Sequence, residues 1–332
     1  MNYIGIDLHK RDLVVAIESE HGPVDKPKRI ACWNEVAISE FFTNHRPFEA
    51  VIEASSSYRW LYELICPLGK VVLAHPLKLR SLVTAKAKTD KLDAMLLAKL
   101  LHLGMIPQSY IPPAKFQVLR DLTRTRARLS RACTEAKNQL HALLCRGNIH
   151  PPFQNVFCKR GQRWLGGLEL GLGGDFARDE LLRRIDHYER ECRALDDCLE
   201  RVAHDFPETE ALLDLHGIGL YSALLIVGEL GEIDRFACDR QVGAYAGLTA
   251  RVHQSGNWDY HGHISRQGSG LFRWVLVQAA MKIVRRDQKL RNFYLRIRKR
   301  SGRDIARVAV ARKLAGICWI RLRRWHQLRA AA

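Results

Sequence analysis

Apolar and polar positions follow two different periods along the first hundred residues. YIGID, DLVVAIES, EAVIEA and KVVLAHP are short runs, almost continuously apolar, the pattern of strands buried inside a sheet. A weaker strand is expected at KPKRIACW. Between these runs, NEVAISEFFTNH, SYRWLYELICPL and DKLDAMLLAKLLHLG repeat their apolar residues every three or four positions. That spacing puts them on one face of a helix, and Gly104 closes the last of the three. Strands alternating with helices make a sheet covered by helices, so residues 1–110 read as an α/β domain.

The period then changes. Leu122, Arg126, Leu129, Cys133, Ala136, Leu140 and Leu143 fall at alternating spacings of four and three, within residues 114–146. Leu181, Ile185, Tyr188, Cys192, Leu195, Leu199, Val202 and Phe206 repeat the pattern. Both are heptad seams. They are joined by a Gly/Pro-rich stretch, and an antiparallel hairpin, pairing with another subunit and an ordinary bundle all satisfy them. Residues 111–208 are therefore a helical, coiled-coil region, and residues 209–328 a mostly helical C-terminal domain. The latter opens with a helix, a tight turn at Gly217–Ile218–Gly219, and a second helix. The turn resembles the helix-hairpin-helix of DNA-binding proteins, whose exposed N–H groups hold one phosphate.

Charge adds a partner to this outline. The chain has 332 residues and is 47% hydrophobic, which excludes disorder, yet 53 Lys and Arg face 35 acids for a net +18. Residues 281–332 hold 17 of the basic residues and two acids, a local net of +15. Such a density points to phosphates, with Arg285, Arg286, Arg296 and Arg298 as contacts. Trp274, Phe293, Tyr294 and Trp325 are interleaved for stacking, while Trp319, within AGICWI, is assigned to the core. A second basic row, Arg120, Arg124, Arg126, Arg128 and Arg131, also suits a phosphate backbone. Nucleic acid and an anionic membrane surface both offer phosphates; no apolar run has the length of a membrane span, which favours nucleic acid.

Nine cysteines without a CxxC pair indicate reduced thiols in a cytoplasmic protein. The N-terminal MNYIGIDLHK, followed by Arg11 and Asp12, has no signal-peptide pattern. His261 and His263 invite a zinc site, but no neighbouring Cys/His pair completes four ligands.

The candidate chemistry lies in four acids. Asp7 and Glu53 each end an apolar strand; Asp90 and Asp93 open a helix, Asp90 as its cap. If the two strands are neighbours and the helix packs across their ends, four carboxylates converge. They would repel by several kcal/mol without compensating cations. Hard oxygen ligands suit Mg2+ or Mn2+, and two such ions about 4 Å apart serve in-line phosphodiester chemistry. Each acid alone has an ordinary structural role; together, in a basic chain, they favour a metal centre.

These residues also carry a resemblance. YIGIDLHK, VIEASSSY and KTDKLDAMLLAKLL resemble the DEDD signature of a bacterial insertion-sequence transposase family, understood as bridge-RNA-guided DNA recombinases. Its members join an RNase H/RuvC-like N-terminal domain to a C-terminal serine-bearing domain. Residues 215–280 resemble the latter at Gly247-Leu248-Thr249-Ala250, Ser255-Gly256 and Ile264-Ser265-Arg266-Gln267-Gly268. Ala250 replaces the usual proline and Arg266 the usual lysine.

The resemblance implies metal ligands at Asp7, Glu53, Asp90 and Asp93, and a nucleophile at Ser255. It further implies a homo-oligomer in which the acids of one subunit serve the serine of another, with DNA and a structured guide RNA as partners. Arg251 and Arg266, on either side of Ser255, are placed to neutralise phosphoryl charge, with His253 as a candidate proton carrier. From the residues alone, Ser255, Ser265 and Ser269 are equal candidates. Two rival classes share features: a RuvC-like nuclease that uses water, and a non-catalytic nucleic-acid binder. A sugar-kinase-like ATPase is disfavoured because Leu8-His9-Lys10 stands where Gly-Thr would cradle phosphate.

Overall fold

The computed structural model describes residues 1–55, 57–82, 89–255 and 258–331, side chains at 252–261 excepted. It divides into two compact units, Met1–Ile111 and Pro112–Ala332.

The first unit begins with β1 (Asn2–Leu8), which turns tightly into β2 (Asp12–Ser19) through a His9 N–H to Asp12 carbonyl bond of 2.9 Å. β3 (Gly22–Pro23) and β4 (Lys28–Ala31) both pair with β2. Then follow α1 (Glu35–Asn44), β5 (Phe48–Glu53), α2 (Tyr58–Ile65), β6 (Lys70–Ala74), α3 (Pro76–Leu82), α4 (Asp90–His102) and β7 (Gln108–Ser109). The sheet order is β3-β2-β1-β5-β6-β7. β1 runs antiparallel to β2 and parallel to β5; β5 and β6 are parallel. This mixed sheet, with helices packed against it, is RNase H-like. The apolar pattern located its main strands and α1, α2 and α4, but not β3, α3 or β7, which bury too little side chain to leave a period.

The strands read as continuously apolar because both faces of the sheet are covered. Ile4, Ile6, Ala50 and Ile52 pack with Ile38, Phe42, Leu61 and Ile65 of α1 and α2. Val51 and Val72 pack on the other side with Leu97, Leu100 and Leu101 of α4. α4 lies so close to β1 that a Cβ on Gly5 would be 2.1 Å from the Ala94 carbonyl oxygen and 2.4 Å from the Ala98 nitrogen.

The second unit is mostly helical. α5 (Ala114–Arg146), the short α6 (Lys159–Gly166) and α7 (Leu172–Val202) come first. α5 and α7 pack antiparallel: Arg126 meets Asp196 at 3.0 Å and Lys137 meets Glu189 at 2.6 Å, so one chain ascends as the other descends. Of the arrangements the heptads allowed, the hairpin within one chain is the one observed. Its core holds Cys133, Ala136, Leu140, Leu144, Leu181 and Ile185, sealed by Val156 and Leu165 from the connection. Leu144 is buried where the strict heptad pointed to Leu143, the drift of a 3.6-residue helix against a 3.5-residue repeat.

α8 (Glu210–Leu213), α9 (Leu220–Leu230) and α10 (Asp239–Tyr245) lead to a hairpin of β8 (Ala250–Ser255) and β9 (Trp258–Ile264). α11 (Gly270–Ile283), α12 (Gln288–Ser301) and α13 (Arg303–Ala330) follow. α9 is buried throughout Ala223–Leu230, with α5 and α11 against it, and so shows no amphipathic face. Trp319 is core as expected, its indole N–H donating to the Ile233 carbonyl at 3.0 Å. The β8–β9 hairpin was not foreseen in a helical domain.

Candidate metal centre and nucleic-acid surface

Ile6 stands opposite Ile52 in the parallel β1–β5 register. One step further, Asp7 and Glu53 are therefore neighbours at the C-terminal ends of two adjacent central strands, about 5 Å apart in backbone. Side chains alternate along a strand. Ile6 and Ile52 face α1 and α2, whereas Gly5 and Val51 face α4, so Asp7 and Glu53 also face α4. Gly5 is what lets α4 approach closely enough to bring its first turn over those two acids.

That first turn carries Asp90 and Asp93. The cap is Thr89, not Asp90: its hydroxyl accepts the Leu92 N–H at 3.4 Å. Asp90 is the first helical residue, which leaves its carboxylate free for longer-range partners.

His9, in the turn after β1, joins the cluster. Its Nε2 lies 3.1 Å from Asp7 Oδ2 and 3.3 Å from Asp90 Oδ1. Asp7, His9 and Asp90 each place one ligand atom within 4.8 Å of the others, and no second group of this kind occurs among the described residues. Glu53 and Asp93 share the face but lie outside that tight set.

Arg29 completes the surroundings. It pairs with Val14 across β4–β2, and Val14 packs on Ala94 of α4, so Arg29 leaves the sheet on the α4 side. Its guanidinium spans Asp90 Oδ2 at 2.7 Å and Asp12 Oδ2 at 2.5 Å.

Burial holds the Asp7 carboxyl above its ordinary range; His9 opposes that shift, and Asp90 and Asp93 add to it. Asp90 is pulled below its ordinary range chiefly by its hydrogen bond from Arg29. Arg29 is itself held up by Asp12 and then Asp90. A half-buried carboxylate that ionises reluctantly, beside further carboxylates, is a site with surplus negative charge. Its hard oxygens, with one imidazole nitrogen, fit a divalent cation. His9 was readable as a neighbour of Asp7 across a tight turn; Arg29 had no sequence signal, because only the β2–β4 register brings it there.

In the second unit, Gly217 (φ 96°) lies under α11, where a Cβ would meet Lys282 Cβ at 2.5 Å. Gly219 caps α9, with open space where its side chain would be. Arg251 donates to the Ser265 carbonyl at 3.2 Å, and exposed Arg266 sits at φ 54° beneath the hairpin. Arg285 and Arg286 are exposed at the α11–α12 turn, as are Arg296 and Arg298 on α12. Ser255 ends β8, but its side chain and that of His253 lie outside the described residues, as does Gly256.

Arg128 and Arg131 of the basic row on α5 are exposed, but the other three do not form the free surface expected. Arg120 donates to the Gly228 and Glu229 carbonyls, Arg124 to the Glu229 carboxylate at 2.9 Å, and Arg126 to both oxygens of Asp196. Glu229 is almost fully buried and also accepts the Ser269 hydroxyl at 3.0 Å. These arginines assemble the fold.

Two family models match the chain. One, described as Transposase and specific to the DEDD domain of IS110 elements, covers residues 4–148. The other, Transposase IS116/IS110/IS902 family, covers residues 209–295. The chain carries both domains of an IS110-family transposase. A probable family 20 transposase of Pseudomonas aeruginosa is 28% identical over 98% of this chain and 97% of its own length. The transposase for insertion sequence element IS1328 of Yersinia enterocolitica is 26% identical over 96% and 95%. The transposase for IS1111A of Coxiella burnetii is 31% identical over 46% and 42%. As a transposase this protein is a DNA phosphotransfer enzyme, and the acid cluster of its DEDD domain suggests use of a metal ion. Among the described residues, no helix is long and apolar enough to cross a membrane.

Proposed function

We propose that the transposase cleaves and exchanges DNA strands with Mg2+ or Mn2+ held by Asp7, Glu53, Asp90 and Asp93, and with Ser255 as the nucleophile. The observation that carries this reading is the convergence of Asp7, at the end of β1, with Asp90, at the start of α4, on the face shared by Glu53 and Asp93. A divalent ion there supplies charge neutralisation and alignment at a phosphate.

The chain's own residues supply the rest. The Ser255 Oγ forms a bond to the scissile phosphorus while the bond to one sugar oxygen breaks, and that oxygen leaves as a hydroxyl with a proton. The phosphoserine bond stores the phosphodiester until a hydroxyl of a second strand reverses the step. Arg251 and Arg266 are near in sequence to Ser255 and bear positive charge for the crowded phosphate. The Gly217–Gly219 turn and the exposed arginines after Ile283 hold flanking backbone. A structured guide RNA selects the DNA, and a homo-oligomer brings the acids of one subunit to the serine of another; the resemblance in the DEDD and serine segments supports both.

The test is adduct trapping. Wild-type protein with cognate DNA should yield a covalent protein–DNA species that maps to Ser255 and is absent in Ser255→Ala. Normal cleavage and joining by Ser255→Ala would instead identify water as the nucleophile, as in a RuvC-like nuclease.

A further inference from the structure

We propose that Arg29 is an exchangeable internal cation of the carboxylate cluster: it competes with a divalent metal for Asp90 and withdraws onto Asp12 when the metal binds. The inference rests on the metal reading above.

Both oxygens of Asp90 are engaged in the structure, Oδ1 by His9 at 3.3 Å and Oδ2 by Arg29 at 2.7 Å. A divalent ion on this carboxylate would sit within one carboxylate's width of a guanidinium, and like charges at that separation repel. Arg29 has somewhere to go. It already holds Asp12 at 2.5 Å through its other terminal nitrogen, so leaving Asp90 does not strand it unpaired. It also has room to go: the side chain is 52% exposed and projects from β4, which among the described residues pairs with β2 alone. His9 differs, being held by the turn between β1 and β2. The arrangement is a two-position switch for one side chain. Bridging Asp12 and Asp90 it fills the site with positive charge; resting on Asp12 it vacates Asp90.

The device sets metal affinity below what the acids alone would give, and variants at its two ends must move that affinity in opposite directions. Arg29→Gln removes the competitor. Asp12→Asn removes the resting place and leaves Arg29 gripping Asp90 alone.

The experiment is titration of the full-length protein with Mn2+ alone, followed by calorimetry or by the free-ion paramagnetic signal. Arg29→Gln should bind about fivefold more tightly than wild type, the scale of one exposed charge-assisted hydrogen bond. Asp12→Asn should bind more weakly, by about threefold. Thermal unfolding supplies a second readout. Arg29→Gln should melt below wild type in chelator, and the gap should close in saturating Mn2+, as linkage requires. Unchanged or weaker Mn2+ binding by Arg29→Gln overturns the exchange, as does a shift of both variants in the same direction or a melting gap that metal leaves unaltered. Absence of Mn2+ binding by wild type overturns the metal reading itself, and is recognisable because it precedes any comparison of variants.

Discussion

Gly5 of β1 and Ala94 of α4 meet backbone to backbone: a Cβ on Gly5 would stand 2.1 Å from the Ala94 carbonyl oxygen. No rotamer relieves such a clash, because the obstructing atoms belong to the main chain. Gly5→Ala should therefore lift α4 from the sheet, at a cost of about 2–4 kcal/mol. Urea unfolding would measure it. Asp90 and Asp93 ride on the displaced turn, so divalent-metal binding should weaken in the fraction that stays folded.

Asp7→Asn should separate function from stability. Burial and the neighbouring acids disfavour the charged form of Asp7. Removing that charge should raise the melting temperature in chelator while abolishing strand cleavage. Added Mg2+ should stabilise wild type and leave the variant unmoved. A variant that melts lower than wild type in chelator would mean that Asp7 serves the fold.

Much of the site was legible, and the reason is physical. Asp7, Glu53 and Asp90 stand where apolar periods stop, and the ends of buried strands and helices are where a sheet presents side chains to a ligand. The four acids could be collected on that basis, but their proximity required the parallel β1–β5 register and the close approach of Gly5 to α4. Arg29 was invisible because the register of β4 against β2 decides its direction. In the second unit, α9 was legible as the helix after the Gly217–Gly219 turn although burial on every side leaves it no amphipathic face, whereas Arg120, Arg124 and Arg126 of α5 looked like a polyanion surface because sequence does not reveal Glu229 and Asp196 beside them.

The buried Glu229 makes two variants unequal. Arg124→Ala removes the two N–H groups that donate to Glu229 Oε1 and should cost about 3 kcal/mol. Glu229→Gln keeps an acceptor for Ser269 and frees Arg124, whose side chain is 45% exposed, to reach water. It should cost about 1 kcal/mol. Chemical denaturation of both, and of the double variant, would show the asymmetry; equal costs would mean that Glu229 is stabilised by other groups.

Alkaline pH should loosen the second unit before the backbone itself is attacked. Burial raises the Tyr221 hydroxyl from 10.0 to about 12, and it donates to the Thr123 carbonyl at 2.9 Å. A phenol that keeps its proton longer in the folded state stabilises fully below pH 10, and that contribution fades as pH rises towards 12. It amounts to about 2 kcal/mol. Stability of wild type should fall across that window more steeply than that of Tyr221→Phe, as followed by denaturant melts at stepped pH.

Charge reversal at Arg296 and Arg298 tests the exposed face of α12. For each of these arginines that holds a DNA phosphate, reversal should lower the salt slope of duplex binding by about 0.9. An unchanged slope would place the DNA elsewhere.

The antiparallel pair of α5 and α7 has a mechanical consequence. α5 is 33 residues long, a rod of about 50 Å. A tilt of about 10° at one end would carry the other through about 9 Å. The salt bridges Arg126–Asp196 and Lys137–Glu189 tie the two helices together along this length. A rod of that length turns a change of a few degrees in its tilt into a displacement approaching the width of a DNA groove.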